Sequence, residues 1–408
     1  MDKTNRVYDE MAVKTAAVTV PTRGFRNCVA ALAAMIWGTW VAAQIPPGST
    51  TSSDISPQGI SSLTARSAVD ARMKSEVIAS LAQAIRDTYV FPDVANKLEK
   101  ALKDRQAKGA YAAITSANEF SAVLTKQMAE IAHDPHLRVM YSANVVPPEE
   151  APKPGQSPLS PDAQSPVLQR QLQRNNYALQ RVELLPGNVG YLKLNGFTDA
   201  DRGGATVAGA MAFLANTDAL IIDLRENRGG NPGMVQLLAS YFFSGGQPVH
   251  LNDLSWRQIG SRDEILTQWW TLPYVPGKRY LNKEVYVLTS GRTFSAAEEF
   301  TYDLQSLKRA TIVGETTRGG ANPGGFRRLS DHYSAFIPTG RAINPVTGTN
   351  WEGKGVEPDV KVPKENALQR AHRLALQHLI KEAPDTEEAD SLRQALESLD
   401  SGSADTTR

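Results

Sequence analysis

Two stretches of this chain each read as a buried strand that breaks into a turn and feeds a helix, and they constrain the fold more than any other feature. In the first, Val285-Tyr286-Val287-Leu288 is an apolar run rich in β-branched residues, Ser290-Gly291 breaks it, and a helix follows from Ser295 with Phe300, Leu304 and Leu307 on one face. In the second, Ala219-Leu220-Ile221-Ile222-Asp223 runs into a loop containing Gly229-Gly230, after which Met234, Leu237, Leu238 and Tyr241 recur at helical spacing. Two such units place two helix N-termini at related ends of one sheet, where open α/β sheets bind ligands.

Two readings of Ser295 compete. With Glu298 it forms a Ser-x-x-Glu capping box, which needs no chemistry to explain it. At the same position, free helix N–H groups and the positive dipole end can stabilise charge developing on a reacting oxygen. Gly229-Gly230 divides in the same way, between a simple tight turn and a source of backbone donors. Phosphate binding by that loop is disfavoured, because neither a Walker Lys-Ser/Thr nor a G-x-G-x-x-G pattern is present.

Four motifs in a fixed order decide between these readings. They are Asp223-x-Arg225-x-Asn227-x-Gly229-Gly230, then Thr289-Ser290-Gly291-Arg292-Thr293-Phe294-Ser295-Ala296-Ala297-Glu298, then Ile312-Val313-Gly314-Glu315-Thr316, and finally Trp351-Glu352-Gly353-Lys354-Gly355-Val356-Glu357-Pro358-Asp359. In this order the chain resembles the S41 family of serine peptidases over roughly residues 70 to 363. That family includes the C-terminal processing proteases, the tricorn core protease and the modules of interphotoreceptor retinoid-binding protein. The resemblance implies an α/β fold, a crotonase-like spiral of strand-strand-helix units with a small N-terminal helical domain. Periodicity alone does not separate this from a doubly wound sheet. It also implies Ser295 as nucleophile and an oxyanion hole from the Ala296 amide and the Gly229-Gly230 turn.

The base must be argued separately, since a serine hydroxyl needs a positioned group to take its proton. The processing proteases resembled here use a lysine after the Gly-Glu-Thr motif, and this chain reads Thr317-Arg318-Gly319-Gly320 there. Arginine does not deprotonate in proteins, so a Ser-Lys dyad is excluded at that position. A histidine base remains, with an ordinary pKa suited to neutrality, which predicts a rate that rises between about pH 6 and 8. In His133-Asp134-Pro135-His136 an Asp-Pro step ends a helix, and by resemblance to the tricorn branch His136 matches the general base better than His133. The same branch places a glutamate near the last motif to complete the relay, and Glu352 matches it. That branch also has a relay serine beside its histidine, where this chain has Pro135. His250 and His332 are the rival bases, and Ser290 is the reserve nucleophile. His372 and His378, on a C-terminal helix without a carboxylate pattern, are expected to face solvent.

Other classes of function find little support. The 44 basic and 43 acidic residues leave a net charge of +1, which gives no reason to expect a nucleic-acid partner. No cofactor fingerprint and no metal-ligand spacing is present, and the expected partner is a peptide or protein substrate. The one alternative of another class is a non-catalytic carrier of hydrophobic ligands, as the retinoid-binding relatives suggest.

Along the chain, Arg23 and Arg26 precede an apolar stretch from Cys28 to Ala43 that is short for a membrane span, and Val41-Ala42-Ala43 suits signal cleavage before Gln44. Residues 1–43 are therefore read as an export signal, cleaved or retained as an anchor, which makes the protein periplasmic or secreted with no further membrane segment. The single cysteine, Cys28, lies inside it. Residues 44–66 read as a disordered linker, 67–133 as the helical domain, 134–175 as a strand plus a Pro-rich linker or lid, 176–363 as the catalytic domain and 364–408 as C-terminal helices and a polar tail. The interval 143–175 is too short for the PDZ domain that many S41 proteases insert there.

Overall fold

The computed structural model describes residues 68–148 and 166–402. The expected export signal, the linker before residue 67 and the Pro-rich segment 149–165 lie outside them. No described helix is long and apolar enough to cross a membrane.

The centre of the molecule is a six-stranded sheet ordered β12 (Val360–Lys361), β8 (Thr311–Gly314), β7 (Glu284–Thr289), β4 (Ala219–Asp223), β3 (Val189–Leu194) and β2 (Leu179–Leu185). All neighbours are parallel except β2 and β3. Those two form a hairpin whose turn is set by Gly187 and Asn188, with φ of 76° and 54°, a conformation these residues tolerate where a tight hairpin requires it. Parallel strands covered on both faces lose the alternation of polar and apolar residues, and every residue of β4 is buried. Leu220 and Ile222 pack with helices α5 (Ala200–Leu214), α6 (Pro232–Ser240) and α7 (Ala296–Ser306). Ala219 and Ile221 pack on the opposite face with α8 (Ala367–Glu382) and with Leu392 of α9 (Thr386–Gly402). This is the α/β layering with a separate helical region that the S41 resemblance implies.

The N-terminal helices α1 (Ala71–Thr88), α2 (Pro92–Ala107) and α3 (Ala117–Ala132) begin where their sequences specify. Asp70 accepts from the Met73 N–H at 2.7 Å, Pro92 occupies the first turn of α2, and the Ser116 hydroxyl accepts from the Glu119 N–H, as expected of N-caps and N-terminal proline. They do not have a core of their own. Ile78, Leu81, Phe120 and Leu124 are buried with Val139 of β1 (Arg138–Tyr141) and with Tyr333, Ala335 and Ile337 of β10 (Tyr333–Pro338). β10 lies between β1 and β9 (Gly324–Arg328) in a three-stranded antiparallel sheet. The unit read from sequence as residues 67–133 is thus completed by strands from the far end of the chain, a pairing that helical periodicity does not encode. A second small sheet, β11 (Gly340–Ile343), β5 (His250–Arg257) and β6 (Glu264–Trp270), packs Leu254 and Ala342 against Trp351.

Two local expectations are corrected. Residues 166–174, read as part of a Pro-rich linker or lid without regular structure, form α4 (Pro166–Arg174), whose Leu168 and Leu172 border the central cavity. His372 does not face solvent: it is buried, with Nε2 2.8 Å from the Pro186 carbonyl oxygen. It lies on the stripe of α8, with Ala371 and Ala375, that covers the sheet.

Candidate active site

The loop after β4 and the turn after β7 are stitched together by backbone-directed bonds. Ser290 Oγ donates to the Arg225 carbonyl at 2.6 Å, Thr293 Oγ1 to that of Leu224 at 2.8 Å, and the Phe294 N–H to that of Asn227 at 3.1 Å. Asp223 fixes the first loop from below by accepting from the Tyr191 hydroxyl at 2.6 Å and from Arg225 Nε at 2.9 Å. Arg225 Nη1 in turn reaches the Lys364 carbonyl at 2.6 Å. The Asp-x-Arg pair is therefore a brace for the loop and stays outside the cavity. Ser290, fully buried and bonded to that loop, is not available as a nucleophile.

This stitching presses Gly229 against Ser295 and Gly230 against the backbone of Phe197. A Cβ on Gly229 would lie 2.7 Å from that of Ser295, and one on Gly230, whose φ is 145°, would lie 1.9 Å from the Phe197 carbonyl oxygen. Only glycine fits at either position. The two amides are not equivalent, however. The Gly229 N–H is already committed to Asn227 Oδ1 at 2.9 Å, whereas those of Gly230 and Ala296 have no partner among the described residues, and both residues line the cavity. Of the three residues expected to form an oxyanion hole, Gly230 and Ala296 retain a free donor and Gly229 supplies the close approach.

Ser295 itself has φ 57° and ψ −124°, a conformation strained for a residue with a side chain. Its amide donates to Glu298 Oε2 at 2.8 Å, but its hydroxyl makes no cap bond. Ser295 and Glu298 keep the capping-box arrangement, but only the Glu298 side of it is a hydrogen bond, and Ser295 lines the cavity. The buried Glu298 carboxylate also accepts from Thr317 Oγ1 at 2.5 Å, the Gly319 N–H at 2.6 Å and the Gly320 N–H at 2.9 Å. Burial pushes its pKa up while these donors oppose the shift. Glu298 thus ties the 317–320 loop to the backbone of Ser295. Replacing it with Ala orphans four buried donors, at about 1–3 kcal/mol each before relaxation. Glu298→Ala is expected to lower unfolding free energy by at least 3 kcal/mol in denaturant titration, and Glu298→Gln is also destabilising, because its one amide oxygen accepts for only two of the four donors.

Residues 188–362 match the model of peptidase family S41, and residues 64–181 match that of the family's N-terminal domain as found in eukaryotic IRBP. The chain belongs to peptidase family S41. Among curated proteins it is 28% identical over 215 residues to carboxyl-terminal-processing peptidase 2, chloroplastic, of Arabidopsis thaliana, a match covering 50% of this chain and 39% of that one. It is 26% identical over 185 residues to the carboxy-terminal-processing protease of Bartonella bacilliformis, covering 43% and 39%. The chain therefore spans about two fifths of the length of these S41 relatives. A solved photosystem II D1 C-terminal processing protease superposes with a TM-score of 0.43 and 16% identity, covering 73% of this chain and 94% of that one.

In this S41 chain the turn between α3 and β1 brings His136 to the same cavity, of about 710 Å³, that Ser295, Gly230 and Ala296 line. The imidazole is 3% exposed, and both ring nitrogens lack a hydrogen-bond partner. It lies between Phe294 and Phe336, with ring centroids 4.3 and 5.8 Å away. Burial, then the Arg138 and Arg318 guanidiniums, lowers its pKa to about 3. The ring is accordingly neutral in the free protein, so the rise in rate between pH 6 and 8 expected from an ordinary histidine has no source in His136. The rivals lie elsewhere and do not line the cavity: His250 Nε2 is 2.6 Å from Asp253 Oδ1 and stacks on Trp270, and His332 Nδ1 is 3.0 Å from the Ser142 carbonyl.

Glu352 does not touch the imidazole. Its Oε2 accepts from the Ala321 N–H, its Oε1 is buried without a partner, and it does not line the cavity. The carboxylate beside His136 is Asp134, with Oδ1 3.8 Å from Nδ1 and 2.9 Å from the His136 N–H. Asp134 Oδ2 accepts from Asn322 Nδ2 at 3.0 Å and from the Tyr89 hydroxyl at 3.3 Å. Sequence reasoning passed over Asp134 as a participant, although the Asp-x-His spacing was the signal for it.

Burial and the neighbouring Asp134 push Glu352 up to about 8. The unfolded chain loses this proton near the ordinary pKa of 4.5 and the folded chain near 8, so Glu352 is linked to stability that is present below 4.5 and lost as pH rises toward 8. Glu352→Gln is expected to abolish that loss. Its stability relative to wild type should widen by on the order of 1–3 kcal/mol from about pH 4.5 to 8; a gap independent of pH in paired denaturation curves would contradict the assignment.

Proposed function

We propose that this protein is a serine peptidase in which Ser295 attacks a peptide carbonyl, His136 accepts its proton, and the Gly230 and Ala296 amides bind the oxyanion. The observation that carries this reading is the convergence on one cavity of a strained, cap-free Ser295, two unpartnered backbone donors and a neutral imidazole. A neutral histidine can take a proton, two fixed N–H groups can stabilise a tetrahedral oxyanion, and a helix N-terminus adds a favourable field. In this reading Asp134 is the carboxylate that orients the ring, and Glu352, held largely protonated at neutral pH, holds the loop at Ala321. This arrangement needs neither a lysine base nor a PDZ domain, in keeping with Arg318 at the position of the dyad lysine. In this reading the N-terminal segment directs export, and the substrate is a peptide or unfolded protein segment.

A fluorophosphonate probe tests the reading. Wild-type protein is expected to label at Ser295 and the Ser295→Ala variant not to label; labelling of both, or of neither, argues for a ligand-binding role or another nucleophile. Asp134→Asn should reduce the labelling rate more than Glu352→Gln, because only Asp134 stands beside the imidazole.

A further inference from the structure

Asp134, the carboxylate beside the imidazole, is itself only 2% exposed. A carboxylate removed from water needs donors, and those it has come from three separate parts of the chain. Its Oδ1 accepts from the His136 N–H at 2.9 Å, while Oδ2 accepts from Asn322 Nδ2 at 3.0 Å and from the Tyr89 hydroxyl at 3.3 Å. Tyr89 and Asn322 are both buried, and neither side chain makes another hydrogen bond among the described residues. A buried phenol and a buried carboxamide whose one polar contact is the same carboxylate are unfavourable choices for packing alone.

Both donors are held by their backbones. Tyr89 directly follows α1, donates its N–H to the Ile85 carbonyl at 2.9 Å, and accepts at its own carbonyl from Arg257 Nη1 at 2.7 Å. Asn322 stands between Ala321, whose carbonyl accepts from the Ala342 N–H at 2.9 Å, and Pro323, whose carbonyl accepts from the Thr339 N–H at 3.0 Å. Two fixed donors on one oxygen and a third on the other leave the carboxylate little freedom to turn. Burial pushes the pKa of Asp134 up, and the bonds from Asn322, the His136 N–H and Tyr89 oppose that shift, in that order. Glu352 is the other carboxyl that faces Asp134, and with its own pKa pushed up to about 8 it adds little negative charge at neutral pH.

We propose that Tyr89 and Asn322 are positioning residues, which aim the Asp134 carboxylate so that it selects the His136 tautomer with its proton on Nδ1 and leaves Nε2 bare to act as the base. The proposal deepens the peptidase reading and rests on it for the identity of the reaction; the tautomer is a property of the free protein. Through Tyr89 the N-terminal helices take part in the site as well as in the core beneath it.

Nitrogen NMR of the full-length protein carrying isotopically labelled histidine tests this without catalysis. Of the six histidines, His136 is identified by the signals missing from His136→Ala, and because burial keeps its ring neutral at pH 7 the two nitrogen shifts report the tautomer. Wild-type protein is expected to carry the proton on Nδ1, and Asp134→Asn to lose that preference. Tyr89→Phe removes one hydroxyl and keeps the ring; Asn322→Leu is similar in size. Each should raise the minor tautomer and slow fluorophosphonate labelling, by about threefold for the longer tyrosine bond and about tenfold for the asparagine. In an Asp134→Asn background neither should slow labelling further, since both act through that carboxylate. Tyr89→Phe alone decides the outcome where Asn322→Leu lowers the melting temperature. A tautomer unchanged by the substitutions, or the same slowing with Asp134→Asn already present, overturns the positioning role. Wild-type protein that labels at Ser295 while the tautomer ignores both substitutions loses this inference alone; a tautomer that responds in protein that never labels keeps the positioning and loses the peptidase reading.

Discussion

Ser295→Ala is expected to lower peptide hydrolysis by about 10³-fold or more, since nucleophile removal leaves only the contribution of binding and the oxyanion hole. Residual activity above about one per cent of wild type would contradict the role of Ser295, and Ser290 could not take it over because its hydroxyl is buried and bonded to the Arg225 carbonyl. The expected effect on stability differs from that of an ordinary N-cap. The Ser295 hydroxyl makes no cap bond, so the alanine variant loses none. What remains is the backbone, with φ 57° and ψ −124°, which glycine adopts without penalty. Ser295→Gly should therefore be inactive yet more stable than Ser295→Ala by about 1 kcal/mol, from relief of strain offset by chain entropy. Paired urea titrations read that difference directly, and a glycine variant less stable than the alanine one would mean that the turn is not strained.

His136→Ala is expected to cost between about 10² and 10⁴ in kcat/KM, the usual contribution of a positioned general base. The pH dependence is the sharper measurement. The dependence of kcat/KM on pH reports groups in the free enzyme, and there burial and two nearby arginines hold His136 down to about 3. From pH 8 down to 5 the imidazole stays neutral, so its acid limb should fall well below the ordinary value of 6.5. The stability linkage has the same origin: between 6.5 and about 3 the unfolded chain binds a proton on this residue that the folded chain does not, so stability falls as pH falls through that window. In His136→Ala that part of the acid destabilisation should vanish. A limb of kcat/KM centred near 6.5 that disappears in His136→Ala would show a solvated imidazole and contradict the packing between Phe294 and Phe336.

Much of the surroundings of Ser295 was legible in the sequence because the governing interactions are short in range. β7, the break at Ser290-Gly291 and α7 follow from apolar runs and a turn signal, and the glycines at 229 and 230 follow from close approach of backbone to backbone. The proposed base was legible only as a residue type. His136 could be singled out, but its two flanking rings and the guanidiniums come from residues 138, 294, 318 and 336, which no local pattern connects. Glu352 shows the same limit: a motif gave its position, while the contact with the imidazole belongs to Asp134, two residues from the histidine. His372 failed for a simpler reason, since a helix covering a sheet buries whatever its inner stripe carries.

The pairing of Val139 in β1 with Ala335 in β10 has a consequence for when the site exists. His136 is delivered by the first third of the chain, the nucleophile follows in the last, and the strand that clamps the histidine turn in place comes later still. Contacts so far apart in sequence form slowly and late. A ribosome-bound or truncated chain ending before residue 333 holds Ser295 and His136 but lacks the strand that pairs beside the histidine turn, so on the proposed reading the site is complete only after that strand has been made and docked.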